Sequence, residues 1–312
     1  MFVALGVVLA YGVDALLVGS LRRCTAGEYG FRNAMANGTL ASDVVIVGSS
    51  RAMVHFDCDI IGAALDGSCI NLGLDGTRTT QQLPMLELYM ARSAAPKLLV
   101  LEVDVGSLEV QHRALHPELA IAYANVPAFY EEQVKLDPTF WAVRHVPLYG
   151  FASIDLNAAW DAVSWLAGVA PPATQRRQGY APVDLPFDST FADFKHEHPD
   201  GVVTPIEPLG ERAVDRLIEL GQRAGAKVVL VYPPMLDEAH HYLTNEHLVT
   251  ADLERIAAAR DVPFIDYSTD EMGRDASLYY NSQHLNVRGA TRFSKDVSAR
   301  LLQLARSAPE RP

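Results

Sequence analysis

Cysteine and basic residues are both scarce in this chain, and each shortage excludes a class of protein. Three cysteines, Cys24, Cys58 and Cys69, occur in 312 residues. Three are too few for a disulfide scaffold and are not spaced as zinc ligands, so at most one bridge, Cys58–Cys69, is expected. Lys and Arg number 26 against 38 Asp and Glu, a formal net charge of -12. So acidic a chain lacks the basic surface that binds nucleic acid, and we expect no nucleic-acid partner.

Apolar character is concentrated at the N-terminus. Residues 2–20 form an almost unbroken apolar run, which as a helix would be about 28 Å long, close to the roughly 30 Å hydrocarbon core of a bilayer. Asp14 is the one charge inside it, at a cost of about 2.5–3.5 kcal/mol in a membrane. We expect a single-span anchor over residues 1–23. A cleaved signal peptide and a buried core helix are the alternatives. The run lacks the preceding basic residues that are typical of a signal peptide, and it lacks the polar stripe that is typical of a core helix.

Beyond a polar connector at residues 24–42, apolar strands alternate with helical patterns. This rhythm predicts an α/β domain with a mainly parallel sheet over residues 43–306, followed by a tail at 307–312. Strands are predicted at Asp43–Val47, Cys69–Leu72, Leu98–Val103, Lys227–Tyr232 and Val262–Asp266, and helices at Gln81–Arg92, Glu211–Arg223, 247–260 and 287–305. Residues 107–205, rich in Pro, His and aromatics, interrupt the pattern as a helical insertion. It is either a lid or acceptor-binding cap over the strand ends, or a layer that only packs.

Two short segments carry residue types suited to acyl chemistry. Val47-Gly48-Ser49-Ser50 ends the first strand and begins a helix, where free backbone N–H groups favour negative charge. A serine there is either a nucleophile or a plain helix N-cap. Near the C-terminus, His284 follows Asn281 by three residues. This spacing lets the ring donate one N–H to the Asn281 side chain and direct its other nitrogen at a serine.

Together these segments resemble the SGNH (GDSL-like) hydrolase superfamily. The motifs that carry the resemblance are Gly-x-Ser after the first strand, Asn-x-Gly-x-x-Gly at 71–76 and His-Leu-Asn-x-x-Gly-Ala at 284–290. They lie within residues 40–110 and 225–305, over which the resemblance extends. The chain looks most like the membrane-anchored branch that works beside membrane-bound O-acyltransferases in polysaccharide O-acetylation and teichoic-acid D-alanyl transfer. The resemblance implies a single three-layer, flavodoxin-like domain.

The resemblance also implies roles for individual residues. Ser50 falls on the nucleophile, His284 on the general base and Asn281 on the third catalytic position, where the family has Asp. The Ser50 amide and that of Gly73 or Gly76 fall on the oxyanion hole, but the family's oxyanion Asn has no match after the third strand. Asp270, Glu271 and Asp275 are further candidates for the third position. Substrate contacts are expected from a few polar side chains that could equally serve the fold: Arg51, Arg78, His241 and Tyr280.

The expected function is a serine acyltransferase or esterase acting on O-acyl groups, most simply O-acetyl groups, of a cell-envelope or secreted polysaccharide. No cofactor and no metal are expected, and a membrane-bound O-acyltransferase is the expected partner. The alternative is a weakly active or inactive glycan-binding scaffold of the same fold. Arg22 and Arg23 after the apolar run indicate a cytoplasmic domain, whereas the resemblance implies an extracytoplasmic, periplasmic one; both orientations stay open.

Overall fold

The computed structural model describes residues 2–113, 116–170 and 176–307; residues 308–312 of the predicted tail lie outside them. The chain divides into two compact units. The first comprises residues 1–40, 87–93 and 111–174, and the second comprises residues 41–86, 94–110 and 175–312. The predicted insertion at 107–205 is therefore shared between the units, and the first unit also contains the N-terminal apolar segment.

The regular elements follow the predicted alternation closely. The α-helices of the described residues are α1 (Phe2–Leu21), α2 (Gly27–Ala36), α3 (Ser50–His55), α4 (Cys58–Ala64), α5 (Thr79–Arg92), α6 (Pro117–Ala120), α7 (Pro127–Leu136), α8 (Trp141–His145), α9 (Tyr149–Ser153), α10 (Leu156–Leu166), α11 (Thr190–Glu197), α12 (Pro208–Arg223), α13 (Asp237–His240), α14 (Glu246–Ala259) and α15 (Val287–Ser307). Short 3₁₀ helices lie at Ile121–Tyr123, Pro138–Phe140, Glu271–Arg274 and Ala276–Leu278.

The second unit is built on a five-stranded sheet whose pairs are all parallel. Its strands are β1 (Val44–Val47), β2 (Cys69–Asn71), β3 (Leu98–Glu102), β4 (Lys227–Tyr232) and β5 (Phe264–Asp266), in the spatial order β2-β1-β3-β4-β5. This is the flavodoxin-like order, in which ligands bind beyond the carboxyl ends of the strands where the order reverses. The reversal lies between β1 and β3. The predicted α/β fold with a mainly parallel sheet is confirmed.

Helices cover both faces of this sheet. Val100 and Val229 belong to a buried cluster with Phe293 of α15. Alternate residues point to the other face, where a Cβ added to Gly221 of α12 would lie 2.6 Å from the side chains of Leu99 and Val228. Glycine therefore lets α12 approach the sheet closely, and the three-layer arrangement follows.

The cysteines behave as the sequence indicates. Cys58 in α4 and Cys69 in β2 form a disulfide with a Cα–Cα distance of 5.1 Å, so the expected pairing is confirmed. Cys24 is a buried free thiol. The bridge fastens α4 to the edge strand β2.

In the first unit, the N-terminal half of α1 is exposed, whereas its C-terminal half contacts other residues of the unit. Residues 2–9 are exposed, and by length and composition the helix is suited to crossing a membrane. Further along, Asp14 Oδ1 accepts the Leu148 N–H at 2.8 Å, and Ser20 Oγ donates to the Ala162 carbonyl at 2.7 Å. The one carboxylate of the apolar run is therefore hydrogen-bonded within the unit.

The segment 24–42 is more ordered than a simple connector. It contains α2, whose Asn33 side chain donates to the carbonyls of Leu21 at 2.6 Å and Cys24 at 2.9 Å. The Tyr123 hydroxyl donates to Asn33 Oδ1 at 2.6 Å. These contacts satisfy the last carbonyl of α1 and a carbonyl of the turn that follows it, so hydrogen bonds between separate elements hold this segment in place.

Candidate active site

Ser50 lies at the point where β1 gives way to α3. Ser49 is the N-cap of α3, and its hydroxyl accepts the Arg51 N–H at 3.1 Å. Ser50 is the first helical residue, so its own N–H is among the helix-terminal donors that have no intrahelical acceptor. The turn therefore presents a half-buried hydroxyl beside a backbone donor.

A buried acid at the end of β3 holds this turn in place. Glu102 Oε2 accepts the Ser49 N–H at 2.7 Å and lies 3.0 Å from the Ser49 hydroxyl. A Cβ at Gly48 would fall 2.3 Å from the same oxygen. Glycine at position 48 is required because an added Cβ would also lie 2.6 Å from the Glu102 Cβ and 2.8 Å from the Ala52 Cβ, which are fixed to the backbone.

Glu102 is not alone in this pocket. Asp104 Oδ2 lies 3.1 Å from the Ser49 hydroxyl, which has one proton and can donate it to one carboxyl oxygen only. Burial, with the neighbouring Asp104 carboxylate as second cause, raises the pKa of Glu102 to about 8. Glu102 therefore carries a proton at neutral pH, so its side chain adds no charge beneath the turn.

The histidine loop meets Ser50 directly. Ser50 Oγ lies 2.8 Å from His284 Nε2. On the opposite side of the ring, Nδ1 lies 2.9 Å from Asn281 Oδ1, an oxygen that also accepts the backbone N–H groups of Gln283 at 3.0 Å and His284 at 2.9 Å. An acceptor-only oxygen requires the ring proton on Nδ1, so Nε2 is free to accept the Ser50 hydroxyl proton.

The charge state of His284 suits a base. Burial, and after it the Arg51 guanidinium, lowers the pKa of His284 to about 4. The imidazole is therefore neutral over the physiological range. The ring of Tyr280 stacks on it, with centroids 5.4 Å apart and planes 13° apart.

The loop that carries His284 is fixed on its C-terminal side. His55 Nε2 accepts the Leu285 N–H at 3.0 Å, and burial lowers the pKa of His55 well below its usual value. Asn286 Oδ1 accepts the N–H groups of Arg288 and Gly289, each at 3.1 Å, and so caps α15. His55 and Glu102 are the supporting residues that sequence reasoning missed. Glu102 had a signal, a charge at the end of an apolar strand.

One predicted contribution to an oxyanion hole, that of the Gly73 amide, needs correction. The Gly73 N–H donates to Asn71 Oδ1 at 2.8 Å, so it is engaged within its own loop. Asn71 Nδ2 in turn donates to the Ala52 carbonyl at 2.7 Å, tying this loop to α3. Gly76 is an exposed turn residue with a φ of +68°. The Ser50 amide belongs to the residue that carries the hydroxyl and remains the main predicted donor.

Arg51 also differs from the expectation. Its side chain is buried, with 2% of the residue exposed, and Nη2 donates to the Pro233 carbonyl at 2.5 Å. The guanidinium lies 5.4 Å from the ring centroid of Tyr232. Arg51 thus joins α3 to the end of β4 and is not placed to contact a substrate.

The remaining predicted residues are an ion-paired arginine, an exposed histidine and three acids. Arg78 forms a 2.7 Å ion pair with Glu109, and His241 is exposed. The three acidic alternatives for the third position are engaged elsewhere, Asp270 with the Met272 amide, Glu271 with Arg292 and Asp275 with Ser277. Asn281 is therefore the side chain that lies behind His284.

A cavity of about 270 Å³ adjoins the histidine. One wall is the loop 281–284, and the rest comes from α11 and the segment around α13: Thr190, Phe191, Phe194, Ala239 and Leu243. In the part of the chain that the structure describes, no group of three or more His, Cys, Asp or Glu side chains is arranged to hold a metal ion.

Comparisons with known proteins give distant structural similarities only. No family model and no curated protein matches the chain. Among solved structures, it is similar to a family two carbohydrate esterase from Clostridium thermocellum in complex with cellohexaose, at 10% identity and a TM-score of 0.43, over 84% of this chain but 64% of that one. A protein from Slackia heliotrinireducens provisionally described as an SGNH hydrolase matches at 12% identity and TM-score 0.40, over 83% and 97% of the two chains.

Est24, a carbohydrate acetylesterase from Sinorhizobium meliloti, matches at 12% identity and TM-score 0.37, over 85% of this chain and 99% of that one. These similarities are so distant that the chemistry of the site has to come from its own geometry.

Proposed function

We propose that this chain is a serine esterase or acyltransferase acting on O-acyl groups, most simply O-acetyl groups, of a polysaccharide. The observation that carries the proposal is the 2.8 Å contact between Ser50 Oγ and His284 Nε2, made across 234 residues of sequence. A neutral imidazole, a serine at a helix N-terminus and an oriented Nδ1–H together form a nucleophile–base pair.

The geometry supports the following steps. His284 Nε2 takes the Ser50 hydroxyl proton as Oγ attacks the ester carbonyl carbon. The resulting oxyanion is stabilised by the Ser50 N–H. The bond to the sugar oxygen breaks, His284 returns the proton to that oxygen, and an acyl-Ser50 remains. Water then regenerates the enzyme in an esterase, or a second sugar hydroxyl does so in a transferase.

Membrane attachment through α1 is part of the proposal. The exposed residues 2–9 supply apolar surface suited to a bilayer. A membrane-bound O-acyltransferase is the partner that would deliver acyl groups at such a surface. The Cys58–Cys69 bridge favours an oxidising, extracytoplasmic location for the second unit, since disulfides persist in such compartments.

A binding-only function is the second candidate, and two observations favour it. The third position is Asn281, whose amide adds no charge to stabilise an imidazolium. The Gly73 amide is engaged by Asn71. A glycan-binding scaffold would keep this pocket while turning over slowly or not at all.

A serine-directed fluorophosphonate probe separates the two candidates. We expect covalent labelling of the detergent-solubilised full chain, loss of labelling in Ser50→Ala, and unchanged labelling in Ser189→Ala, an exposed serine used as control. Hydrolysis of a small acetyl ester should follow the same pattern. A folded wild-type protein without Ser50-dependent labelling would favour the scaffold.

A further inference from the structure

Helix α10, in the first unit, exposes its large apolar side chains and buries its small ones. Leu156 and Trp160 are 64% and 65% exposed, whereas Ala158 and Ala162 are completely buried. Val163 is exposed as well and continues the same face, because residues at i, i+4 and i+7 share one side of a helix. A face that leaves such side chains uncovered is typical of a surface that meets a partner other than water.

The buried side of α10 packs against α1. Ser20 Oγ of α1 donates to the Ala162 carbonyl at 2.7 Å, and the two helices are in contact. Small side chains at Ala158 and Ala162 suit such close packing. Among the residues that the structure describes, α1 is the one helix long and apolar enough to cross a bilayer. The exposed face of α10 is thus carried by the partner helix of a membrane anchor.

Two further contacts of α1 set the level of this surface relative to a bilayer. The Tyr11 hydroxyl donates to the His145 carbonyl at 2.9 Å, and Asp14 Oδ1 accepts the Leu148 N–H at 2.8 Å. At 1.5 Å per residue, Tyr11 lies only about 3 Å along the helix from Leu9. When residues 2–9 enter a bilayer, the segment that begins at His145 and leads into α10 is therefore brought to the membrane surface.

The aromatic content of this segment agrees with that position. The three tryptophans of the chain, Trp141, Trp160 and Trp165, all belong to it. Trp141 is exposed and stacks on His145, with ring centroids 4.7 Å apart. Tryptophan is enriched where a bilayer meets water, because its ring is apolar and its N–H can still reach a polar group.

We infer that the exposed face of α10, formed by Leu156, Trp160 and Val163, lies in the interfacial layer of the bilayer that holds α1. The inference rests on the membrane attachment proposed above and not on the acyl chemistry. Helix α1 supplies the depth of the anchor and α10 adds apolar area beside it. A second point of contact also prevents the first unit from rotating freely about α1, so the unit has a fixed orientation to the membrane.

Fluorescence quenching by lipid tests this contact in the full chain. Trp141→Phe/Trp165→Phe leaves Trp160 as the single tryptophan. We expect its emission in vesicles of brominated phosphatidylcholine to be lower by about two-fold or more than in ordinary phosphatidylcholine vesicles, because an interfacial helix reaches the acyl chains that carry the bromine. In the ordinary vesicles Trp160 should be shielded from aqueous iodide.

The matched control is Leu209→Trp in a chain whose three native tryptophans are replaced by Phe. Leu209 is also exposed, but it lies beside Glu211 and Arg212 at the start of α12. A bilayer does not accept such a charged surface, so the emission of this control should be equal in the two kinds of vesicle.

Sedimentation of the same samples separates this inference from the attachment on which it rests. If the protein pellets with the vesicles but bromine leaves Trp160 unquenched, the inference is overturned and α1 remains the anchor. Shielding of that unquenched Trp160 from iodide would indicate that protein, such as a second copy of the chain, covers the face. A protein that does not pellet would overturn both ideas. Since no turnover is measured, absence of Ser50-dependent labelling would not affect the outcome.

Discussion

Asn281 and His284 are joined by one oxygen atom, Asn281 Oδ1, which accepts three hydrogen bonds. Asn281 Oδ1 accepts the ring Nδ1–H at 2.9 Å and also accepts the backbone N–H groups of Gln283 and His284. The same contact therefore folds the loop, aims the imidazole at Ser50 and selects its tautomer. A carboxylate oxygen could do all three and would add a charge, which makes this position informative.

The first prediction concerns Asn281→Asp. The new carboxylate should raise the pKa of His284 from about 4, because an opposite charge favours the imidazolium. Catalysis needs the neutral ring, so the wild-type acid limb of kcat/KM lies near pH 4, and the variant's limb moves to higher pH. Activity on a small acetyl ester at pH 7–8 should be kept or raised. A pH–rate profile measures both effects.

Two results bear on this prediction. Asn281→Leu, which removes the acceptor, should lose activity, by up to about 10⁴-fold if the tautomer is lost. A large loss in a folded Asn281→Asp protein would mean that the carboxylate disrupts the three-donor contact, and that the Asn281 amide is required as it stands.

The second prediction concerns Glu102→Gln. The pKa of Glu102 is about 8 in the folded chain and near 4.5 in an unfolded one, so the folded state binds the extra proton between these values. Stability from this group is full below about pH 4.5 and is lost as pH rises through about 8. Glutamine resembles the protonated acid and cannot ionise, so the variant's free energy of unfolding should decline less from pH 6 to 9.

At pH 9 we expect Glu102→Gln to be more stable than wild type by a few kcal/mol, since one pKa unit corresponds to about 1.4 kcal/mol. Urea unfolding at several pH values measures the difference. Glu254→Gln, on an exposed position of α14, is the control and should leave the pH dependence unchanged. A variant destabilised equally at every pH would contradict the buried proton.

The third prediction concerns the disulfide. Closing a loop between Cys58 and Cys69 should contribute about 3 kcal/mol by restricting the unfolded chain. Reductant should therefore lower the Tm of wild type and of Cys24→Ala alike, with no effect on Cys58→Ser/Cys69→Ser. Because neither Cys58 nor Cys69 takes part in the hydrogen bonds of Ser50 and His284, fluorophosphonate labelling should survive removal of the bridge at 25 °C. A Tm insensitive to reductant in all three proteins would contradict the bridge.

The fourth prediction concerns membrane attachment. Leu5 and Leu9 are 65% and 66% exposed, so replacing them with Gln should leave folding intact. Sedimentation with phosphatidylcholine vesicles should show wild type and Leu5→Val/Leu9→Val bound and Leu5→Gln/Leu9→Gln depleted from the pellet. Equal recovery of the Val and Gln variants with vesicles would count against a bilayer around this end of α1.

The strands could be predicted because each lies in a short apolar run, which is buried along most of β1 to β4, and β4 matches its predicted bounds. Helix α12 begins at Pro208, three residues before the expected Glu211, because proline suits the first helical position. Helix α2 was missed, since Asn33 stabilises it through carbonyls outside the helix.

The candidate site likewise contains some residues whose roles could be predicted from the sequence and others whose roles could not. Ser50 and His284 could be paired from sequence because both sit in local motifs with defined spacing. The burial of Arg51 could not be predicted from sequence, because its hydrogen-bond acceptor is the Pro233 carbonyl, 182 residues away. The engaged Gly73 amide likewise depends on a side-chain rotamer of Asn71, which no sequence pattern specifies.

The near-collision between position 48 and the Glu102 carboxyl has an evolutionary consequence. A Cβ at position 48 would lie 2.6 Å from the Cβ of Glu102 and 2.8 Å from the Cβ of Ala52 as well as close to the acid, so a smaller residue at 102 would not make room for one. Position 48 should therefore stay glycine across relatives of this chain that keep this turn, even where the acid at 102 has been replaced by a smaller residue.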